Sequence, residues 1–227
     1  MVRYPYLLLD ADNTLFDFDA ANHAAFAAVC RFCGLENTPE RYEQYETINS
    51  SLWEQLNRGE VTKDYLVIER FRRFFRLVGL QADPEACNRI HLQQLGSSTI
   101  LLPNTLEVCR QLAADHKLYI VTNAVAAVQR RRLAESAIAP YITDAFISEE
   151  AGASKPSRAY FDYVMGRIPG ITRENCLVVG DSLSSDIQGA NNAHLPACWF
   201  NPHGLPRPEG LRIDYEIRDL RELMELA

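Results

Sequence analysis

The sequence predicts an α/β fold, a parallel β-sheet core into which a block of four helices is inserted. Three observations carry this. Short apolar runs recur at Leu7-Leu8-Leu9, Leu118-Tyr119-Ile120-Val121, Ala145-Phe146-Ile147 and Leu177-Val178-Val179, the pattern of strands buried on both faces. From the second run onward, stretches of helical periodicity separate the runs, the alternation that builds a parallel sheet. Between the first run and the second, four helical patterns follow one another without a strand, which describes a subdomain rather than a βα repeat. The expected division is a core of residues 1–17 and 101–227 with an inserted helical block of residues 18–100.

In chain order, Val2 to Asp10 reads as the first strand and residues 16–20 as a linker. Phe26, Val29, Cys30 and Cys33 recur at helical spacing until Gly34 stops the helix. Thr38-Pro39 opens the second helix, with proline at the first helical position; Tyr42, Tyr45, Asn49, Leu52, Trp53 and Leu56 form its stripe and Gly59 ends it. Thr62 caps the third, which carries Val67, Phe71, Phe74, Phe75 and Val78 before Gly79, and Asp83-Pro84 starts the fourth, which runs to Leu95. The βα pattern then resumes with a helix over 103–114 and a strand over 118–121. A helix over 125–136 follows, on which Arg130, Arg131 and Arg132 read as a solvated face, and then a short strand over 144–147. Ser157 caps a helix bearing Tyr160, Phe161 and Val164, ahead of a strand over 176–179 and a short helix over 184–192. Strands over 196–200 and 214–217 flank a loop rich in proline and glycine, and a helix over 218–226 closes the chain.

Hydrophobic residues make up 47% of the chain, enough for a sizeable core, and a formal net charge of −7 argues against a nucleic-acid polymer as partner, because such surfaces are basic. There is no apolar run of membrane-spanning length and no basic-then-apolar leader, and the first strand starts almost at Met1, so no membrane partner is expected and the expected location is the cytoplasm. Most of the six cysteines lie inside apolar patterns, as small hydrophobes do. Cys30-Arg31-Phe32-Cys33 has redox spacing, but it ends a helix and lacks a preceding strand, so a structural role is expected. The five histidines are scattered and none reads as part of a triad. The scattered charges mark no obvious interface.

The chemistry collects where the apolar runs stop. Leu9 is followed by Asp10-Ala11-Asp12. Residues i and i+2 of an extended segment point the same way, so the two carboxylates share a small space and need a cation, a shared proton, or both. Mg²⁺ meets that need, since it takes oxygen ligands and pairs carboxylates with phosphate; strand-end or helix-capping acids are the plainer alternative. The other runs stop in Thr122-Asn123, Ser148-Glu149 and Gly180-Asp181-Ser182, with Ser154-Lys155-Pro156 between the last two. Open parallel sheets hold ligands at the carboxyl ends of their strands, so Asp10, Asp12, Thr122, Asn123, Lys155, Asp181 and Asp186 are expected along one edge.

These residues form four ordered motifs: Asp-x-Asp-x-Thr at Asp10 to Thr14, a strand ending in Thr122, Lys155-Pro156, and Gly-Asp-x-x-x-x-Asp from Gly180 to Asp186. In them the sequence resembles the haloacid dehalogenase-like hydrolase superfamily. The stretch Asp10 to Phe18, and Leu52 to Lys63 followed by Arg70-Phe71, resemble the bacterial pyrimidine 5′-nucleotidases of that superfamily. The resemblance implies a Rossmann-like core and makes the helical block a cap over the carboxylate edge, hinged near residues 17–20 and 99–103. It implies a Mg²⁺-dependent phosphomonoesterase. Asp10 is then the nucleophile that forms an aspartyl-phosphate, and Asp12 is the acid to the leaving oxygen and afterwards the base toward water. Mg²⁺ is held by Asp10, Asp181 and the backbone carbonyl of Asp12. Lys155, Thr122 and the backbone amide of Asn123 bind the phosphate. Asp186 orients Lys155 or a water, or is a plain helix-surface acid. The substrate implied is a small phosphate ester, a pyrimidine nucleoside monophosphate, with Trp53 stacking the base and Asn57 or Arg58 meeting its polar edge; core packing is the plainer role for Trp53. Asp12 separates the reading from carbon–halogen cleavage, because haloacid dehalogenases lack an acid at that place. A sugar-phosphate phosphatase or phosphomutase is the alternative within enzymes, and a non-catalytic phosphate-binding protein the alternative outside them.

Overall fold

The computed structural model describes residues 2–226 and divides them into two compact units, one of residues up to 18 together with 99 onward, the other Asp19–Ser98. The first unit is built on a six-stranded, wholly parallel sheet of order β3-β2-β1-β4-β5-β6. Its strands are β1 (Tyr6–Leu9), β2 (Lys117–Thr122), β3 (Ile142–Ile147), β4 (Cys176–Gly180), β5 (Ala197–Phe200) and β6 (Tyr215–Ile217). The unit is α/β, and the helical insertion follows β1.

The two-residue period of a strand explains why the central runs are continuously apolar. Leu7 and Leu9 of β1 join Leu177 and Val179 of β4 in one core cluster, with Val108, Leu133 and Leu223 packed against them. Leu8 points the other way and joins Val178, Val121, Tyr160 and Val164. Both faces are therefore covered by helices. One face meets α5 (Thr105–Leu112), α6 (Ala126–Glu135) and α10 (Leu223–Leu226). The other meets α8 (Arg158–Met165) and α9 (Gln188–Asn192), and a four-residue helix, α7 (Ser148–Ala151), follows β3.

The helical unit contains α1 (Phe18–Cys33), α2 (Pro39–Asn57), α3 (Lys63–Val78) and α4 (Pro84–Gly96). Thr38, Thr62 and Asp83 cap the last three with their side chains, the short polar residues that satisfy the free amides of a first turn. The expected linker over 16–20 is shorter than the sequence implied, because Asn13 accepts the Phe18 amide at 3.1 Å and α1 starts there. Aromatic rings fill the core of this unit: Phe26 stacks on Tyr45 with centroids 4.7 Å apart and meets Phe74 edge-on at 5.2 Å. All six cysteines are free; Cys33 and Cys87 face each other across α1 and α4 with sulfurs 3.4 Å apart.

A polar network crosses this aromatic core. Arg70 donates to Asn49 at 3.2 Å, to Asn88 at 3.0 Å and to Nδ1 of His91 at 3.2 Å. An arginine only donates, so Nδ1 must accept and the hydrogen of His91 sits on Nε2, 3.0 Å from Oδ1 of Asn22. Asn22 uses its amide nitrogen on Glu46 at 2.6 Å, which confirms the orientation of its oxygen. The imidazole is thus held neutral: burial, and then the Arg70 charge beside it, push its pKa well below the ordinary value.

An unfolded chain takes up a proton at His91 below about pH 6.5, while the folded one does not. The unfolded state then binds more protons, so the imidazole erodes stability as pH falls below about 6.5, by up to about 1.4 kcal/mol per pH unit. Urea denaturation of wild type and His91→Gln between about pH 7 and pH 5 isolates this term. The wild type is expected to lose stability more steeply on acidification; parallel profiles contradict the assignment.

Candidate active site

The carboxyl ends of β1, β2 and β4 lie side by side at the centre of the sheet, and the polar residues that stop the apolar runs meet there. Asp10 is the first residue past β1, and its amide extends the ladder to the Val179 carbonyl at 2.8 Å. Asp181 is the first residue past β4. Asp186 returns from a π-helical turn over Leu183–Ile187. Carboxylate oxygens of Asp10, Asp181 and Asp186 all lie within 4.8 Å of one another.

Lys155 stands among them, almost fully buried. Its Nζ donates to Asp10 Oδ1 at 2.5 Å, to Asp186 Oδ1 at 2.6 Å and to the Val121 carbonyl at 2.9 Å. Asn123 fixes the lysine's backbone from both sides, donating to its carbonyl at 2.9 Å and accepting its amide at 3.0 Å. Gly180 has a steric reason: a Cβ there would stand 2.3 Å from the Asp186 carboxyl carbon. Any side chain at 180 would push Asp186 off the lysine.

The electrostatics follow from burial. Burial pushes the Asp10 carboxyl well above its usual range; Lys155 pulls it back, and Asp186, Asp181 and Asp12 add to the rise. Burial and then the Asp186 charge push Asp181 up to about 7. For Lys155, burial favours the neutral amine, but the attraction of Asp10 and Asp186 outweighs it and keeps the ammonium well above the ordinary range. Three carboxylates against one ammonium leave two negative charges uncompensated when all are ionised. Hard oxygen donors with that surplus fit a divalent cation such as Mg²⁺.

Thr122 ends β2, its amide donating to the Tyr160 hydroxyl at 3.0 Å and its own hydroxyl accepting from Ala124 at 3.1 Å. Asp12 does not join the cluster with its side chain. Its carboxylate turns to Arg132, whose Nη1 lies 2.5 Å from Oδ1. This corrects the expected solvated face of α6: Arg130 and Arg131 are exposed and pair with Glu150 and Glu135, but Arg132 is buried. The signal was present in the spacing, since Val125, Val128 and Arg132 fall on one side of a helix. Two further residues were given no role from the sequence. Thr14 bridges the first and fourth motifs, donating to Asp181 Oδ1 at 3.0 Å and accepting the Asp181 amide at 3.1 Å. Tyr160 ties Thr122 to the Phe146 carbonyl, donating to it at 2.6 Å.

The residues expected to meet the base lie in the helical unit. Trp53 is half-buried on α2 and Asn57 is its last residue. Arg58 is exposed and forked onto Glu60 at 2.6 and 3.1 Å. No helix among the described residues is long and apolar enough to cross a membrane.

The haloacid dehalogenase-like hydrolase family model matches residues 4–194. YfnB of Bacillus subtilis, a protein named as a HAD-hydrolase, is 36% identical over 226 residues, spanning 100% of this chain and 96% of that one. Its crystal structure, described as bound to magnesium and as revealing interdomain movement, superposes with a TM-score of 0.94 over 99% of this chain and 98% of that chain. The pyrimidine 5′-nucleotidase PynA of Streptococcus pneumoniae is 33% identical, covering 98% of this chain and 94% of its own. The pyrimidine 5′-nucleotidase YjjG of Escherichia coli is 30% identical, covering 99% and 98%. On its motifs, its fold and these matches, the chain belongs to the haloacid dehalogenase-like hydrolase family.

Proposed function

We propose that the protein is a Mg²⁺-dependent phosphomonoesterase that works through an aspartyl-phosphate at Asp10 and acts on pyrimidine nucleoside monophosphates. The observation that carries the reading is the Asp10 carboxylate at the end of the central strand, held by the Lys155 ammonium within a cluster of three acids, with a further carboxylate, Asp12, two residues away and outside the cluster. Phosphate esters repel an anionic nucleophile, so a site for them needs concentrated positive charge. Lys155 supplies part of it. A divalent ion held by Asp10, Asp181 and the Asp12 carbonyl supplies the rest when bound.

In the first half, a carboxylate oxygen of Asp10 forms a bond to phosphorus as the ester oxygen leaves, and Asp12 gives its proton to that oxygen. In the second half, Asp12 takes a proton from water, the water oxygen attacks phosphorus, and the bond to Asp10 breaks. Thr122 and the Asn123 amide donate to the phosphoryl oxygens, and Asp186 keeps Lys155 charged and aimed. The two nucleotidases among the relatives support the substrate class. We assign base stacking to Trp53 and the polar edge to Asn57 or Arg58, which pairs with Glu60.

Phosphate release from pyrimidine and purine nucleotides, hexose phosphates and phosphoglycolate tests both parts of the reading. Turnover is expected to concentrate on pyrimidine nucleotides and to fall at least about 10³-fold in Asp10→Asn. Turnover on sugar phosphates alone overturns the substrate class, and activity surviving in Asp10→Asn overturns the nucleophile. The metal has its own test. At pH below about 7, where Asp181 holds a proton in the metal-free protein, a cation must displace it. Mg²⁺ affinity should therefore rise with pH through about 7, with protons released on binding. Calorimetry in two buffers of different ionisation enthalpy counts those protons; an affinity flat with pH and a binding enthalpy independent of buffer contradict the site.

A further inference from the structure

Asp12 leaves the end of β1 on a tight turn. Asn13 takes a left-handed φ of 58°, and the amides of Leu15 and Phe16 both return to the Ala11 carbonyl at 2.9 Å. The turn presents the Asp12 carboxylate to α6 with about a quarter of the side chain exposed, while the Arg132 side chain facing it is 1% exposed. The guanidinium is held on three sides. Nη1 lies 2.5 Å from Asp12 Oδ1 and 3.3 Å from Oε1 of the buried Gln129, one turn earlier on α6. Its Cζ lies over the buried Phe16 ring, 4.6 Å from the centroid, and Phe16 belongs to the same turn as Asp12.

A buried guanidinium is expensive in desolvation and persists where it is paired and stacked. Here the carboxylate it pairs with is the one that carries protons in the proposed reaction. From this geometry we infer that Arg132 is a positioning residue for that carboxylate: it anchors Oδ1 of Asp12, so that Oδ2 alone carries the proton to the leaving oxygen and receives it back from water. The inference rests on the phosphomonoesterase reading above.

The chemistry supports one anchored oxygen and one working oxygen. Arginine has donors only and does not deprotonate, so it cannot share in the transfer itself. An N–H to Oδ1 is satisfied whether Asp12 is a carboxylate or a carboxyl, because the carbonyl oxygen of the acid still accepts. As the bond from phosphorus to the leaving oxygen breaks and that from phosphorus to Asp10 forms, the Oδ2 proton moves to the leaving group. When water attacks phosphorus and the bond to Asp10 breaks, the water proton moves to Oδ2 and the site returns to its starting state. Lysine would present a point charge in place of the planar guanidinium that lies over Phe16.

The test compares two esters that differ in their need for an acid: p-nitrophenyl phosphate, whose leaving group departs as a stable anion, and an alkyl phosphate, whose leaving group does not. In Arg132→Met with Mg²⁺, kcat/KM for the alkyl ester should fall about 10²-fold, the low end of a general acid's contribution, and far less for the aryl ester. Added to Asp12→Asn, the same change should cost nothing further on either ester, because the residue acts through Asp12. Arg132→Gln, which removes the charged anchor, carries the same comparison if the methionine variant does not fold, and should show the same selective loss. Equal losses on both esters, or a further loss in the Asp12→Asn background, overturn the inference and leave the parent reading standing. A wild type that hydrolyses neither these esters nor pyrimidine nucleotides overturns both.

Discussion

The site depends on one buried ammonium. Lys155 sits where the ends of β1 and β2 meet the turn after β4, and bonds to a group from each: Asp10, the Val121 carbonyl and Asp186. Without it, three acids would face each other in a medium that penalises even one. With it, Asp10 is aimed, Asp186 is neutralised, and the remaining negative charge is the right amount for a divalent ion. Neighbouring features serve the same contact. Gly180 leaves room for the Asp186 carboxyl, Asn123 clamps the lysine's backbone, and Thr14 links the turn after β1 to Asp181. Coupling of that kind explains why four motifs far apart in the chain converge as a set.

Much of this was legible in the sequence because it depends on period and termination. Strands buried on both faces announce themselves as unbroken apolar runs, and the residue after each run must stand at the sheet edge. Asp10, Thr122 and Asp181 were found that way. Helix starts at Thr38, Thr62 and Asp83 were legible because a first turn needs a short polar acceptor. What stayed hidden was the partnering of long side chains. The spacing from Val125 and Val128 turns Arg132 inward on α6 and leaves Arg130 and Arg131 on its outer side, but it does not show that the inward arginine meets Asp12. His91 looked like a scattered histidine because its partners, Asn22, Tyr45 and Arg70, come from three other helices.

The two units use buried polarity differently. The parallel-sheet unit concentrates like charges, and two of its carboxyls are pushed toward their neutral forms. That is an arrangement poised for a cation and a reaction. The helical unit disperses its polarity through Asn22, Asn49, Asn88 and a neutral imidazole around one arginine. Each group there has a partner, and the network fixes how the four helices pack. Half-buried Trp53 and exposed Arg58 lie on α2 and at its end, outside this network.

The claim at the centre of this account is that Asp10 carries the phosphoryl group. Asp12→Asn protein mixed with p-nitrophenyl phosphate and Mg²⁺ gives the most direct view of it. The first half of the reaction then needs no acid, and the second half lacks its base, so the phosphoryl-enzyme accumulates. Mass spectrometry of acid-quenched peptides should find one phosphoryl group, on Asp10. A phosphoryl group on any other residue, or steady release of nitrophenolate with Asp10 unmodified, would contradict the account.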